Sequence, residues 1–299
     1  MRRPLWTAAA AVLLMAGCAA PGHEAATEAD VPVPRPLSGA VHFSAAEQRA
    51  LRDSEEALVR ACMRDRGYEY RIGPARDARR AAAVNPYTLL SPRWSRSDGY
   101  GLTGEVLRGP PNDPNADMLA ALPDPEREEW EEALLGRRED HVEISLPSGR
   151  RIGYSPHACV QVARDEVYGT GWAELRYVVE DLSNEAVRRT LASSGFHAAE
   201  AEWAGCMAGL GYSYTTLEDP RKEILDQLAD ADGDHDRVRA VGDRELALAR
   251  DDLTCQLDTH THRRIADAQA KAEEQVRAGA ERELGRFQQS KRAALSRVL

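Results

Sequence analysis

The sequence predicts a mainly α fold: two diverged, disulfide-stapled helical halves, one short β-hairpin and a long C-terminal helix. Three observations carry that expectation. The pattern C-M-x-x-x-G-Y-x-Y occurs twice, at residues 62–70 and 206–214, each time at the end of an amphipathic run. The clearest alternating, strand-like signal lies at 141–154. From about residue 235 to 298 there is no proline, and an apolar stripe repeats with a period of about 3.7 residues.

Taken in chain order, residues 45–66 read as a helix, and 75–84 as another that ends before Asn85-Pro86. Residues 91–116 are rich in Gly, Pro and Asn and read as a loop, one long enough that it should pack on the body or bind something. Pro123-Asp124-Pro125-Glu126 starts a helix that runs to about Leu135. Its Glu128, Glu129, Glu131 and Glu132 form a solvated face around Trp130 and Leu134 rather than a catalytic set. His141-Val142-Glu143-Ile144-Ser145-Leu146 alternates, Pro147-Ser148-Gly149 turns, and Arg151-Ile152-Gly153-Tyr154 returns as the second strand. Helices follow at 157–168, 171–180, 183–193 and 196–208.

The two motif segments share one physical reading. The helix carries its cysteine and methionine, Cys62 and Met63 or Cys206 and Met207, on its last turn. Gly67 or Gly211 supplies the left-handed residue that ends it. Tyr68 and Tyr70, or Tyr212 and Tyr214, then continue extended with both rings on one side. Each half holds one further helical cysteine, Cys159 or Cys255. Four cysteines allow three pairings, and the repeat favours Cys62–Cys159 with Cys206–Cys255. No C-x-x-C is present, so a zinc or redox role is disfavoured.

The stripe of the C-terminal run comprises Leu246, Leu253, Leu257, Ile265, Ala268, Ala272, Val276, Leu284, Phe287, Leu295 and Val298. Unbroken, such a helix would reach about 90 Å. Its first part should pack on the body through Cys255. The rest either folds back on its own domain or projects to pair with another helix, in a second copy or an envelope protein.

Candidate chemistry is sparse. Asp230, Asp232, Asp234 and Asp236 alternate as in calcium loops, but with Gly233 in the sixth position Arg239 occupies the twelfth, where a glutamate belongs. Those acids are better read as a loop capping the next helix. His260 and His262 lie two residues apart, a spacing that sends them to different helix faces. Recognisable nucleophile, phosphate-binding and dinucleotide patterns are absent from the sequence. The expectation is therefore a non-enzyme with no metal and no cofactor. A net charge of -10 argues against a nucleic-acid partner and against lying flat on anionic lipid.

The N-terminus bears on location. Arg2 and Arg3 precede a short apolar stretch at 5–15, too short to span a bilayer, and Ala16-Gly17-Cys18 closes it. This resembles the lipobox of bacterial lipoproteins, in which Cys18 would be diacylated and become the first mature residue. Residues 19–39 are rich in Ala, Pro, Gly and acid and read as a tether. The expected organisation is a signal peptide at 1–17, a disordered tether at 18–43, a first half at 44–170 with loop and hairpin, a second half at 171–233, and a C-terminal helix at 234–299 that completes it. Arginine greatly outnumbers lysine and alanine is abundant, as in GC-rich genomes.

The motif turns, Gly99-Tyr100-Gly101, and Cys159 followed by a helix ending in Tyr168-Gly169 together resemble a set of actinobacterial lipoproteins with two C-M-x-x-x-G-Y halves and a charged helical tail. The resemblance spans most of 45–299 and implies architecture and location, not an activity. It implies an extracytoplasmic protein held on the outer face of the membrane through acylated Cys18. Protein–protein contacts are the first functional expectation, ligand binding beside a transporter the second, and a cell-wall enzyme the third.

Overall fold

A computed structural model describes residues 31–32, 34–74, 85–110 and 112–299. Cys18, the signal segment and the helix expected at 75–84 lie outside these residues. The described part is mainly helical, with one two-stranded antiparallel hairpin and two disulfides. None of its helices is long and apolar enough to cross a membrane.

A short α1 (Pro36–Gly39) leads into α2 (Ala45–Asp65). α1 lies within the stretch expected as a disordered tether at 18–43, but Leu37 and Ala40 are buried there, so the packed body starts earlier than residue 44. Ser44 and Glu47 start α2 with a reciprocal capping box. Leu51, Val59 and Met63 form its buried face. The 91–116 stretch is not one open loop. It contains α3 (Ser95–Asp98), α4 (Leu102–Arg108) and the start of α5 (Ala116–Ala121). Local propensity was overridden there by burial, since Ser95, Tyr100, Leu102 and Thr103 are all buried.

Helix α6 (Asp124–Leu135) buries Trp130 and Ala133 and leaves its glutamates toward solvent. Strands β1 (Val142–Ser145) and β2 (Arg151–Tyr154) pair with Ile144 opposite Ile152. Next come α7 (Cys159–Tyr168) and α8 (Trp172–Leu191). The two helices expected at 171–180 and 183–193 are this single α8. Between them stand Asp181 and Leu182, neither of which breaks a helix, and Asp181 is occupied in holding the hairpin tip.

The second half contains α9 (Ser194–Gly209), α10 (Asp219–Ala231) and α11 (His235–Asp258). Asp234 caps α11 by accepting from the amides of Asp236 and Arg237, as the acid-rich loop suggested. The C-terminal run is helical but folds back in three pieces: α11, α12 (Thr261–Arg277) and α13 (Glu281–Val298). The first break is at His260, whose backbone is left-handed (φ 53°), and the second falls at residues 278–280. There is no 90 Å rod; α12 lies on α8 and α9, and α13 lies on α2, α7 and α8.

Among the described residues three hydrophobic clusters result. One joins Val59, Met63, Trp130, Cys159 and Ala163 around the first disulfide. The second packs Trp203, Met207, Ile224, Leu248 and Ile265 against Tyr87, Leu90, Tyr100 and Leu102, which come from earlier in the chain. The third joins Leu37, Leu51, Trp172, Val179 and Phe287. In it Trp172 is stacked between Tyr168 (4.3 Å) and Phe287 (4.7 Å).

Candidate functional site

The two motif turns are built alike. The amide of Tyr68 donates to the Met63 carbonyl (2.9 Å), and that of Tyr212 to the Met207 carbonyl (3.1 Å). This is the bond that closes a helix through a left-handed residue, and Gly67 (φ 89°) and Gly211 (φ 91°) provide it. Met63 and Met207 are both fully buried. Beside them the disulfides Cys62–Cys159 and Cys206–Cys255 join α2 to α7 and α9 to α11, each with Cα atoms 5.6 Å apart. Both expected pairings are thus present.

The second tyrosine of each motif latches onto a carboxylate. Tyr70 donates to Glu56 (2.8 Å) and stacks on Trp130. Tyr214 donates to Glu223 and stacks on Tyr212, whose own hydroxyl donates to Asp251 (2.6 Å). Burial pushes the Tyr70 and Tyr214 hydroxyls above the ordinary tyrosine range, and the adjoining carboxylates add to the shift. Tyr68 lies beside Arg66, whose guanidinium donates to the carbonyls of Ala133 and His157 and ties the turn to its neighbours. These contacts are structural.

A second constellation, not singled out from the sequence, runs along the C-terminal helices. On α11, Glu245, Asp252 and Gln256 are buried; on α12, His262, Gln269 and Glu273 are. Both sets have the spacing i, i+7, i+11, which confines each to an arc of about 40°. Each member satisfies a group that ordinary helix or sheet ladders do not. Glu245 accepts from the amides of Leu102 (3.0 Å) and Thr103 (2.9 Å). Gln256 accepts from the Leu90 amide, and His262 meets the Leu90 carbonyl. Gln269 accepts from Tyr87, and Glu273 from the Leu37 amide (2.7 Å).

Asp252 is the centre of this spine. Tyr100, Trp203 and Gln256 all donate to its carboxylate, at 2.8, 2.8 and 2.9 Å. Burial pushes its pKa up to about 6 against the pull of those three donors. Burial likewise lowers the pKa of His262 and favours its neutral form. These acids are sealed in the core with donors already bound, so they serve cohesion. His260 and His262 do not converge: the former sits at the break between α11 and α12, the latter inside.

Gly99 belongs to the same arrangement. A Cβ there would stand 2.8 Å from the Glu245 side chain, so glycine is what lets the carboxylate reach the start of α4.

Among the described residues no group of three or more His, Cys, Asp and Glu side chains is placed to hold a metal. No family model, curated protein or solved structure matches the chain. Functional inference therefore rests on the surface. Several clefts of similar size open there, and one of about 430 Å³ lies between the hairpin tip, α8 and the α12–α13 junction. Leu175, Val178 and Leu182 floor it, and Glu174, Arg282, Glu283 and Arg286 stand at its rim.

The spine was legible in principle. Its members sit one residue to the side of the apolar stripe: Glu245 beside Leu246, Asp252 beside Leu253, Gln256 beside Leu257. Polar residues repeating in step with an apolar stripe mark a buried helix face that has polar work to do.

Proposed function

We propose that this chain is a non-catalytic lipoprotein, held on the outer face of the cell membrane by acylated Cys18, that acts through protein–protein contacts of its helical body and C-terminal helix. The observation that carries the reading is the pair of disulfides. Such crosslinks persist in oxidising compartments. They also use four of the five cysteines with one another, which leaves Cys18, the one behind the apolar stretch, for acylation. Membership of the actinobacterial lipoproteins with two C-M-x-x-x-G-Y halves is part of the same proposal.

The back-folded α12 and α13 refine where contacts would form. Their apolar stripes are used inside the molecule, so a partner would meet their outer faces, for example around Gln289 and Ala293, both exposed. The test has two arms. Cys18→Ser should abolish incorporation of labelled palmitate and release the chain from membranes; unchanged membrane retention would overturn the anchor. Photocrosslinkers at 289 and 293 of the full chain should each capture the same protein or a second copy from its own membranes. Capture no different from that at a position on the opposite face would overturn the contact surface.

A second reading, ligand binding beside a transporter, is favoured by the cleft between the hairpin tip, α8 and α13.

A further inference from the structure

We infer that the cleft between α8, the hairpin tip and α13 is a binding site for a zwitterion with an apolar body, of the class of short apolar peptides. The inference rests on the ligand-binding reading and adds to it a ligand class.

The floor of the cleft is apolar. Leu175, Val178 and Leu182 fall at i, i+3 and i+7 on α8, one helix face about 10 Å long. Ala280 closes the floor where α12 passes into α13. The wall contributed by the hairpin is fixed in place: Asp181 of α8, itself buried, accepts both the amide and the hydroxyl of Ser148 at 2.8 Å. That pins Pro147 at the cleft edge. The cavity, about 430 Å³, is of the size that small ligands occupy.

Its rim separates charge. Arg282 and Glu283 form an ion pair at 2.8 Å, and Arg286 also acts on the Glu283 carboxylate. Glu174, from the first turn of α8, and Arg286, from α13, make no salt bridge or hydrogen bond, either with each other or with any other described residue. Glu283 faces Arg286 electrostatically as well as Arg282, so the α13 side carries a net single positive charge and the α8 side the carboxylate of Glu174, with Leu175, Val178 and Leu182 lining the same cleft. A ligand carrying a carboxylate toward Arg286, an ammonium toward Glu174 and an apolar side chain on the floor satisfies all three. A purely anionic amphiphile would meet Arg286 but would also face Glu174.

The test is titration calorimetry of the mature full chain with trileucine, its N-acetyl form and its C-terminal amide. Saturable binding of trileucine is expected, weakened at least tenfold by either block. Glu174→Gln should remove the penalty for N-acetylation alone, and Arg286→Gln the penalty for amidation alone. Both residues are exposed, so the variants should keep the parent's unfolding temperature. No saturation at millimolar peptide, equal affinity for the blocked forms, or octanoate binding as well as trileucine would each overturn the proposal. The membrane crosslinking experiment is independent of this titration, so either can fail alone.

Discussion

At the scale of single residues, Asp252 is a fully buried carboxylate whose surroundings change its chemistry. Its folded pKa, about 6, lies above the ordinary aspartate value of 3.8. The folded state therefore holds this proton more tightly than the unfolded state. Its stability contribution is complete below about pH 4 and is lost as pH rises through about 6. A shift of this size corresponds to about 3 kcal/mol at most. In denaturant titrations between pH 4 and 7, Asp252→Asn should lack this fall, and its stability relative to the parent should rise with pH. Parallel pH profiles would show that the three donors hold Asp252 ionised throughout. The three donors also explain why a buried acid is tolerated here at all: an unpaired one would be far costlier.

At the scale of elements, the two motif helices do the same work in different surroundings. Each disulfide closes a long loop, 97 residues for Cys62–Cys159 and 49 for Cys206–Cys255. Chain entropy puts their contributions at about 5 and about 4 kcal/mol, if the closure model holds without native strain. Calorimetry of Cys62→Ser/Cys159→Ser and Cys206→Ser/Cys255→Ser chains should show both strongly destabilised. Losses under 1 kcal/mol would mean that packing of Met63 and Met207 alone holds the helix pairs. These motif helices, their glycine ends and the hairpin were readable because each depends on neighbours close in sequence: Gly67 with Met63, Ile144 with Ile152. The folding of 91–116 was not, because what orders it is remote. Glu245 receives the amides of Leu102 and Thr103 from more than 140 positions away. The break at His260 also escaped pattern reading, since the apolar stripe continues across it at almost the helical period.

Over the whole molecule, the C-terminal run takes the first of the two courses expected for it, folding back on the body to become part of the core. Phe287 is fully buried against Trp172. Phe287→Ala should cost about 3–5 kcal/mol, the range for large-to-small changes in a packed core, as read from urea midpoints. A cost near zero would return α13 to the role of a loose arm. For the same reason, a chain that lacks α13 is a poor test of a binding tail, because it lacks part of the core. The cleft shares this dependence, since α13 supplies its cation. The candidate ligand site was hidden from the sequence because Glu174 and Arg286 are far apart in the chain and line one cleft only when α13 folds back.

Residues 87–102 complete the cluster around Trp203, and Phe287 completes the one around Trp172. Neither half is therefore made from one continuous stretch of chain. A polypeptide emerges N-terminus first, so Trp172 waits for more than a hundred further residues before its stacking partner exists. Until then the chain around Trp172 presents an unfinished apolar face, the kind of surface that chaperones bind and that aggregation exploits. The last helix thus acts as a completion signal: only a chain delivered in full can close, and one truncated short of Phe287 keeps that face open to proteolysis.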